Sequence, residues 1–108
     1  MPEQDLPAPV RRAIDAVNAG DTEAFLAQFT AEGWIDDNGR RFTGHDEMRG
    51  WSDRELIGAH TQFEVGGSEP TDGGVAVDIE VASDGFNGYS RFAFELAGEH
   101  VSGMAITA

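Results

Sequence analysis

Asn18-Ala19-Gly20-Asp21, then Trp34-Ile35-Asp36-Asp37, then Thr43-Gly44: the order of these three runs decides the fold of the chain. Upstream of the first run, Val10, Ala13, Ile14 and Val17 recur at spacings of three and four, one face of a helix, and Pro7 or Pro9 suits its first turn. Gly20 ends that helix. Asp21 is placed to cap a second one, in which Phe25, Leu26 and Phe29 share a face, and such a cap contributes about 1 kcal/mol. Asn38-Gly39 is a two-residue hairpin signal, because both residues tolerate positive φ, so Trp34–Asp37 and Arg40–Phe42 read as a short strand pair. Thr43 then caps a third helix, with Met48, Trp51 and Glu55 on one side and Asp46, Glu47 and Asp53 on the wet side.

From His60 onward the apolar period changes from helical to two. Thr61, Phe63 and Val65 alternate with Gln62 and Glu64; Val75, Val77, Ile79 and Val81 with Asp78 and Glu80; Ser90, Phe92, Phe94 and Leu96 with Arg91 and Glu95; Val101 to Thr107 closes the series. Turn residues at 71–74, 84–88 and 97–99 join neighbours in order, which predicts an antiparallel meander. Helices first and strands afterwards is an α+β pattern, expected here as three N-terminal helices packed into a curved antiparallel sheet, a cone with one pocket. At 108 residues a single domain over 1–108 is expected, burying roughly two-thirds of the surface its unfolded chain exposes.

Charge narrows the partners. With 20 Asp plus Glu against 7 Lys plus Arg, a net −13 repels phosphate backbones and anionic lipid heads, so neither nucleic acid nor membrane is expected as a partner. The absence of Cys removes disulfides, thiol chemistry and Cys-based zinc sites. His45, His60 and His100 are dispersed with no i, i+4 pair, so no metal and no cofactor is expected. Met1 to Gly20 lacks the uninterrupted apolar run of a signal peptide, and a cytoplasmic protein is expected.

Val17-Asn18-Ala19-Gly20-Asp21, the acidic strand ending at Asp36-Asp37, Phe42-Thr43-Gly44 before Met48-Arg49, and the closing strand around Met104 resemble the NTF2-like superfamily. This is the nuclear transport factor 2 fold, shared by ketosteroid isomerases and SnoaL-like polyketide cyclases, and the resemblance runs from about Pro9 to Thr107. It implies a conical α+β fold around a pocket for a small apolar or aromatic molecule. Matched without a gap to ketosteroid isomerase, Asp37 falls on the catalytic base, Ala13 on the oxyanion-hole Tyr and Ser90 on the protonated oxyanion-hole Asp. The base is retained and both strong donors are replaced. Losing one such donor costs about 2.7–4 kcal/mol of transition-state stabilisation, so steroid isomerisation is not expected.

Among the residues themselves, Asp36 and Asp37 are strand neighbours with side chains on opposite faces, so only one enters a pocket. An inward acid beside Trp34, Trp51 or Phe29 suits a general base, whereas Asp37 before Asn38-Gly39 suits a turn-amide acceptor. His60 is the candidate second titrating group, while His45 and His100 are expected to be solvated. Trp51 either stacks a flat ligand or fills space, and Trp34 competes with Asp37 for the inward face. The 84–88 segment has the composition of a pocket lip and of an ordinary turn. Arg11, Arg12, Arg40, Arg41 and the Arg49–Asp53 spacing read as solvated charge balance.

Two functions follow. One is an isomerase- or cyclase-type enzyme in which Asp37 or Asp36 moves a proton on a small apolar carbonyl compound, with His60 or Ser90 polarising the oxygen. The other is a non-catalytic ligand-binding or dimerisation module. A homodimer through the outer sheet face, which carries Asp78, Glu80, Arg91 and Glu95, is expected in either case.

Overall fold

The amphipathic stripe read from the sequence becomes α1, Ala8–Ala19, which buries Val10, Ala13, Ile14 and Val17. The computed structural model describes residues 6–107; Met1–Asp5 and Ala108, the ends of the expected 1–108 domain, lie outside them. Gly20 at φ 70° ends α1 in the left-handed conformation, with the Gly20 N–H reaching the Val17 carbonyl at 3.0 Å and the Asp21 N–H the Ala16 carbonyl at 2.9 Å. Asp21 caps α2, Thr22–Ala27, its Oδ1 accepting from the Ala24 N–H at 3.1 Å.

Phe29 is not part of α2. It opens β1, Phe29–Asp37, and meets Phe25 edge-on with ring centroids 5.1 Å apart. A residue that leaves a helix and turns back into the same core keeps the helical spacing without the helix.

The remaining elements are β2 (Arg40–Thr43), α3 (His45–Glu55), a 3₁₀ turn (Ile57–Ala59), β3 (Gln62–Thr71), β4 (Gly74–Ala82), β5 (Gly88–Ala97) and β6 (His100–Thr107). The Asn38-Gly39 hairpin forms with φ of 52° and 97°, pairing Asp37 with Arg40. The strands form one sheet in the order β2-β1-β6-β5-β4-β3. β3 to β6 are the expected antiparallel meander, whereas β1 runs parallel to β6, so the sheet is mixed. Turn signals specify pairs of strands joined by a turn. They carry no information about β1 and β6, which the chain joins only through α3 and four other strands. The α+β architecture of helices laid against one face of the sheet is as expected.

The inward strand positions are those of the period-two reading, with Val77, Ile79, Phe92, Phe94 and Val101 all buried. Register shifts at Val65/Gly67 in β3 and at Glu95/Leu96 in β5 are the bulges that let an antiparallel sheet bend. The first of them bends β3 just past the point where α1 ends against it. There Asn18 Nδ2 donates to the Phe63 carbonyl at 3.0 Å and Asn18 Oδ1 accepts from the Phe63 N–H at 2.6 Å. One side chain thus satisfies both backbone groups on the free edge of an edge strand.

α3 departs from expectation at its start. Its N-cap is Gly44 at φ 85°, with no side-chain cap bond, because Thr43 still belongs to β2 opposite Trp34. The Thr43 N–H instead donates to Glu47 Oε1 at 2.8 Å. His45 is not solvated: its Nε2 lies 3.2 Å from the Phe29 carbonyl and 3.1 Å from the Thr30 carbonyl, which ties α3 to the first residues of β1. Met48 and Trp51 are buried as read, while Glu55 is exposed and turned toward β2. Arg49 pairs with Glu23 of α2, not with Asp53.

Candidate functional site

A cavity of about 520 Å³ opens at the end of the sheet where β1, β4 and β6 finish and β3 and β5 begin, within the range usual for small-molecule sites. Its apolar wall is Phe63, Val81, Phe92 and Ile106 from the strands and Leu56 after α3, with Phe63 and Phe92 in edge contact at 5.0 Å. Its polar groups include Asp37, Asn38, Arg54, Glu55, Thr61, Ser83, Asp84 and Ser90.

Asp37 is the member of the acidic pair on the cavity wall, because it shares a strand face with the fully buried Ile35. Its side chain is 17% exposed. Oδ2 accepts from Trp51 Nε1 at 3.1 Å and from Arg40 Nη2 at 2.5 Å. Oδ1 meets no donor among the described residues. Trp51 therefore lines the cavity as a donor that orients the acid as well as a buried ring.

Asp36 takes the turn position that the sequence left open for Asp37. Its Oδ1 accepts from the Gly39 N–H at 2.8 Å, and its Oδ2 lies 3.5 Å from Arg41 Nε on the outer face. Asp36 is absent from the cavity.

Arg54 is the cation on the cavity wall, and Arg40, outside the lining, is the cation that holds the acid. It grips Glu55 with both nitrogens, Nη1 to Oε2 at 2.9 Å and Nη2 to Oε1 at 2.6 Å, while also holding Asp37. The hydrogen bonds from Arg40 hold the Glu55 carboxyl below the usual carboxylate range, against a smaller opposing effect of burial. Glu55 and Asp37 in turn raise the Arg40 guanidinium further above its already high value. Read from the sequence as solvated charge balance, Arg40 is instead set opposite Asp37 by the two-residue hairpin between them.

Trp34 loses the competition for the inward face. It lies on the outer face over Gly103, where an added Cβ would come within 2.0 Å of the indole, and Arg41 stacks on it at 4.0 Å. Phe29, Ala13 and Met104 are buried in the core and do not line the cavity. Ser90 does line it. His60 sits outside with its side chain 81% exposed, held at φ 58° and paired through Nδ1 with Asp84 Oδ2 at 2.7 Å. Its outward direction follows the strand period, in which Thr61 and Phe63 take the inward phase.

The 84–88 segment is both a turn and a lip. Asn87 Oδ1 accepts from the Ser83 N–H at 3.0 Å, while Asp84, Gly85 and the half-exposed Phe86 border the opening. Asp84 and Phe86 lie in the segment read from the sequence as a lip or a turn, whereas Thr61 and Glu55 were not singled out as site residues and only their inward phase marked them. Among the described residues no group of three His, Asp or Glu is arranged to hold a metal ion. No helix among them is long and apolar enough to cross a membrane. The buried Ser52 hydroxyl has no partner and lines no cavity, and nothing in the structure explains it.

No family model matches the chain, and no curated protein matches it in sequence. Solved structures do. A candidate polyketide cyclase from Sinorhizobium meliloti superposes with a TM-score of 0.88 at 21% identity, covering 99% of this chain and 100% of its own. A computationally designed 17-OHP binder gives 0.83 at 12% identity, over 97% of this chain and 92% of its own. An NTF2-like protein of unknown function from Cytophaga hutchinsonii gives 0.79 at 11% identity, over 99% and 93%. Likeness at these identities is likeness of backbone, and it shows that the chain has the NTF2-like fold.

Proposed function

We propose that residues 1–108 form one NTF2-like domain whose cavity is a small-molecule site, with Asp37 acting as general base on a small, mostly apolar carbonyl compound. The observation that carries this reading is the state of the Asp37 carboxylate. One oxygen is fixed by an indole and a guanidinium, and the other has no protein partner among the described residues. That oxygen takes a proton from the carbon next to the carbonyl and returns it elsewhere, the outline of an isomerisation or an intramolecular cyclisation. Ser90 is the hydroxyl we assign to the carbonyl oxygen, since His60 points outward. A neutral hydroxyl supplies less than a pair of strong donors, so the substrate this site suits carries an acidic C–H.

The binding-module reading is favoured by a different observation: Arg40 already pairs with Asp37, and one structure of similar backbone is a designed 17-OHP binder. Proton exchange separates the two. With 2-tetralone as a small apolar ketone, the wild-type protein should accelerate deuterium incorporation next to the carbonyl, and Asp37→Asn should lower that rate at least 10²-fold while changing ligand affinity only a few-fold. Binding of 2-tetralone by the wild type with no exchange above buffer would leave the binding module standing instead.

The Arg40 clamp makes a prediction with a definite sign in pH. Because Glu55 is held below its ordinary range in the folded state, its contribution is present at neutral pH and is lost as pH falls through the depressed value. Arg40→Gln should therefore lower the melting temperature at pH 7, with the gap to wild type closing below about pH 4, beneath the ordinary Glu range. An equal gap at both pH values would show that Arg40 acts through packing.

The protein is also proposed to be a cytoplasmic homodimer joined through the outer sheet face. Tyr89 stands 62% exposed there, amid Arg91 paired to Asp78 at 3.1 Å and to Glu69 at 2.8 Å. Sedimentation equilibrium at tens of micromolar should give twice the 11.6 kDa chain mass, and a monomer alone would remove the interface.

A further inference from the structure

We infer that Thr61 is a specificity-determining residue of the cavity: its buried hydroxyl selects ligands that carry an uncharged hydrogen-bonding oxygen on the side remote from Asp37. The inference rests on the small-molecule reading of the cavity and adds a residue and a selectivity to it.

Thr61 is 2% exposed, yet it lines the cavity. Its side chain takes the inward phase ahead of Phe63, and its hydroxyl makes no hydrogen bond with any of the described residues. The backbone accounts for none of this. The Thr61 N–H closes the 3₁₀ turn on the Leu56 carbonyl at 3.3 Å, and its carbonyl accepts from Gln62 Nε2 at 3.2 Å, so the main chain is tied without help from the hydroxyl. Packing does not account for it either. Val has the same shape, so a position that only fills space gains nothing from a hydroxyl, and the Thr61 hydroxyl, unlike that of Ser52, is not sealed from the cavity. A β-branched side chain also has few rotamers, which holds the hydroxyl in one direction.

The topology places this hydroxyl far from the acid. Asp37 ends β1 and Thr61 leads into β3, with β6, β5 and β4 between them in the sheet. Phe63, Val81 and Phe92 form an apolar surface along that path, with the Ser90 hydroxyl beside them, while the Ser83 hydroxyl is already given to the Phe86 carbonyl and the Trp51 N–H to Asp37. A ligand that reaches both walls thus meets an acid at one end, a hydrophobic middle and a hydroxyl at the other. Thr61 can donate to a carbonyl or accept from a hydroxyl, and it offers no charge to a carboxylate or an ammonium.

Calorimetric titration with 2-naphthol and 2,6-dihydroxynaphthalene tests this, because the second probe differs only by an oxygen at the far end. Wild type should bind the dihydroxy probe about 3- to 10-fold more tightly, the usual net value of one neutral hydrogen bond. Thr61→Val should abolish that preference and leave 2-naphthol unchanged, while Thr61→Ser should retain most of it. Thr61→Val should also melt close to the wild-type temperature, since no hydrogen bond between the Thr61 hydroxyl and the described residues is lost. A preference that survives in Thr61→Val, or a variant that loses stability and weakens both probes alike, would overturn the role of Thr61 and leave the cavity reading intact. Failure of wild type to bind either probe at millimolar concentration would refute the small-molecule reading itself, and Thr61 with it.

Discussion

The constraint on which the rest depends is the pair of hydrogen bonds between the Asn18 side chain and the backbone of Phe63. A mixed sheet with β3 at one edge exposes a row of N–H and C=O groups, and helices at the start of the chain have no covalent reason to reach that edge. Asn18 supplies both partners of one edge residue from the last turn of α1. Gly20 ends the helix immediately beyond it, so the amide is presented at the helix tip and Asp21 starts α2 in a new direction. The helical hairpin is thereby anchored to β3 while α1 also packs on β6, and the sheet between them must curve. The cavity is the space left at the open end of that arrangement.

Much of this was legible because it is local. The left-handed Gly20, the Asp21 cap, the Asn38-Gly39 hairpin and the inward phase of four strands each rest on residues a few positions apart. The parallel pairing of β1 with β6 was not, because it joins segments on either side of α3 and the meander. The fate of Trp34 was hidden for a related reason. Trp34 and Asp37 lie on opposite phases of β1, and the room for the indole on the outer face comes from Gly103, far along the chain on β6, which has no side chain to block it. Phe29 shows the limit of periodicity itself, since its spacing fits a helix that has already ended at Ala27.

The site was legible in outline only. Asp37 and its neighbour were recognisable as a pair, and the strand period left one question, which Ile35 answers by sharing the inward face with Asp37. What the sequence could not reveal is how the acid is held. Trp51 and Glu55 come from α3 and Arg40 from β2, and the four side chains meet only once α3 has folded across the hairpin. One cation, Arg40, then serves two carboxylates beside the apolar wall of the cavity. His60, by contrast, was attractive as a titrating group and is set aside by the strand phase that faces it to solvent with Asp84.

Amide hydrogen exchange at Phe63 tests the Asn18 anchor most directly. Although β3 is an edge strand, the Phe63 N–H should exchange as slowly as the paired amides between β4 and β5, and should lose that protection in Asn18→Ala while the β4–β5 amides keep theirs. A Phe63 amide that exchanges in wild type as fast as the free-edge amides of β3, or that is unaffected by Asn18→Ala, would contradict the account.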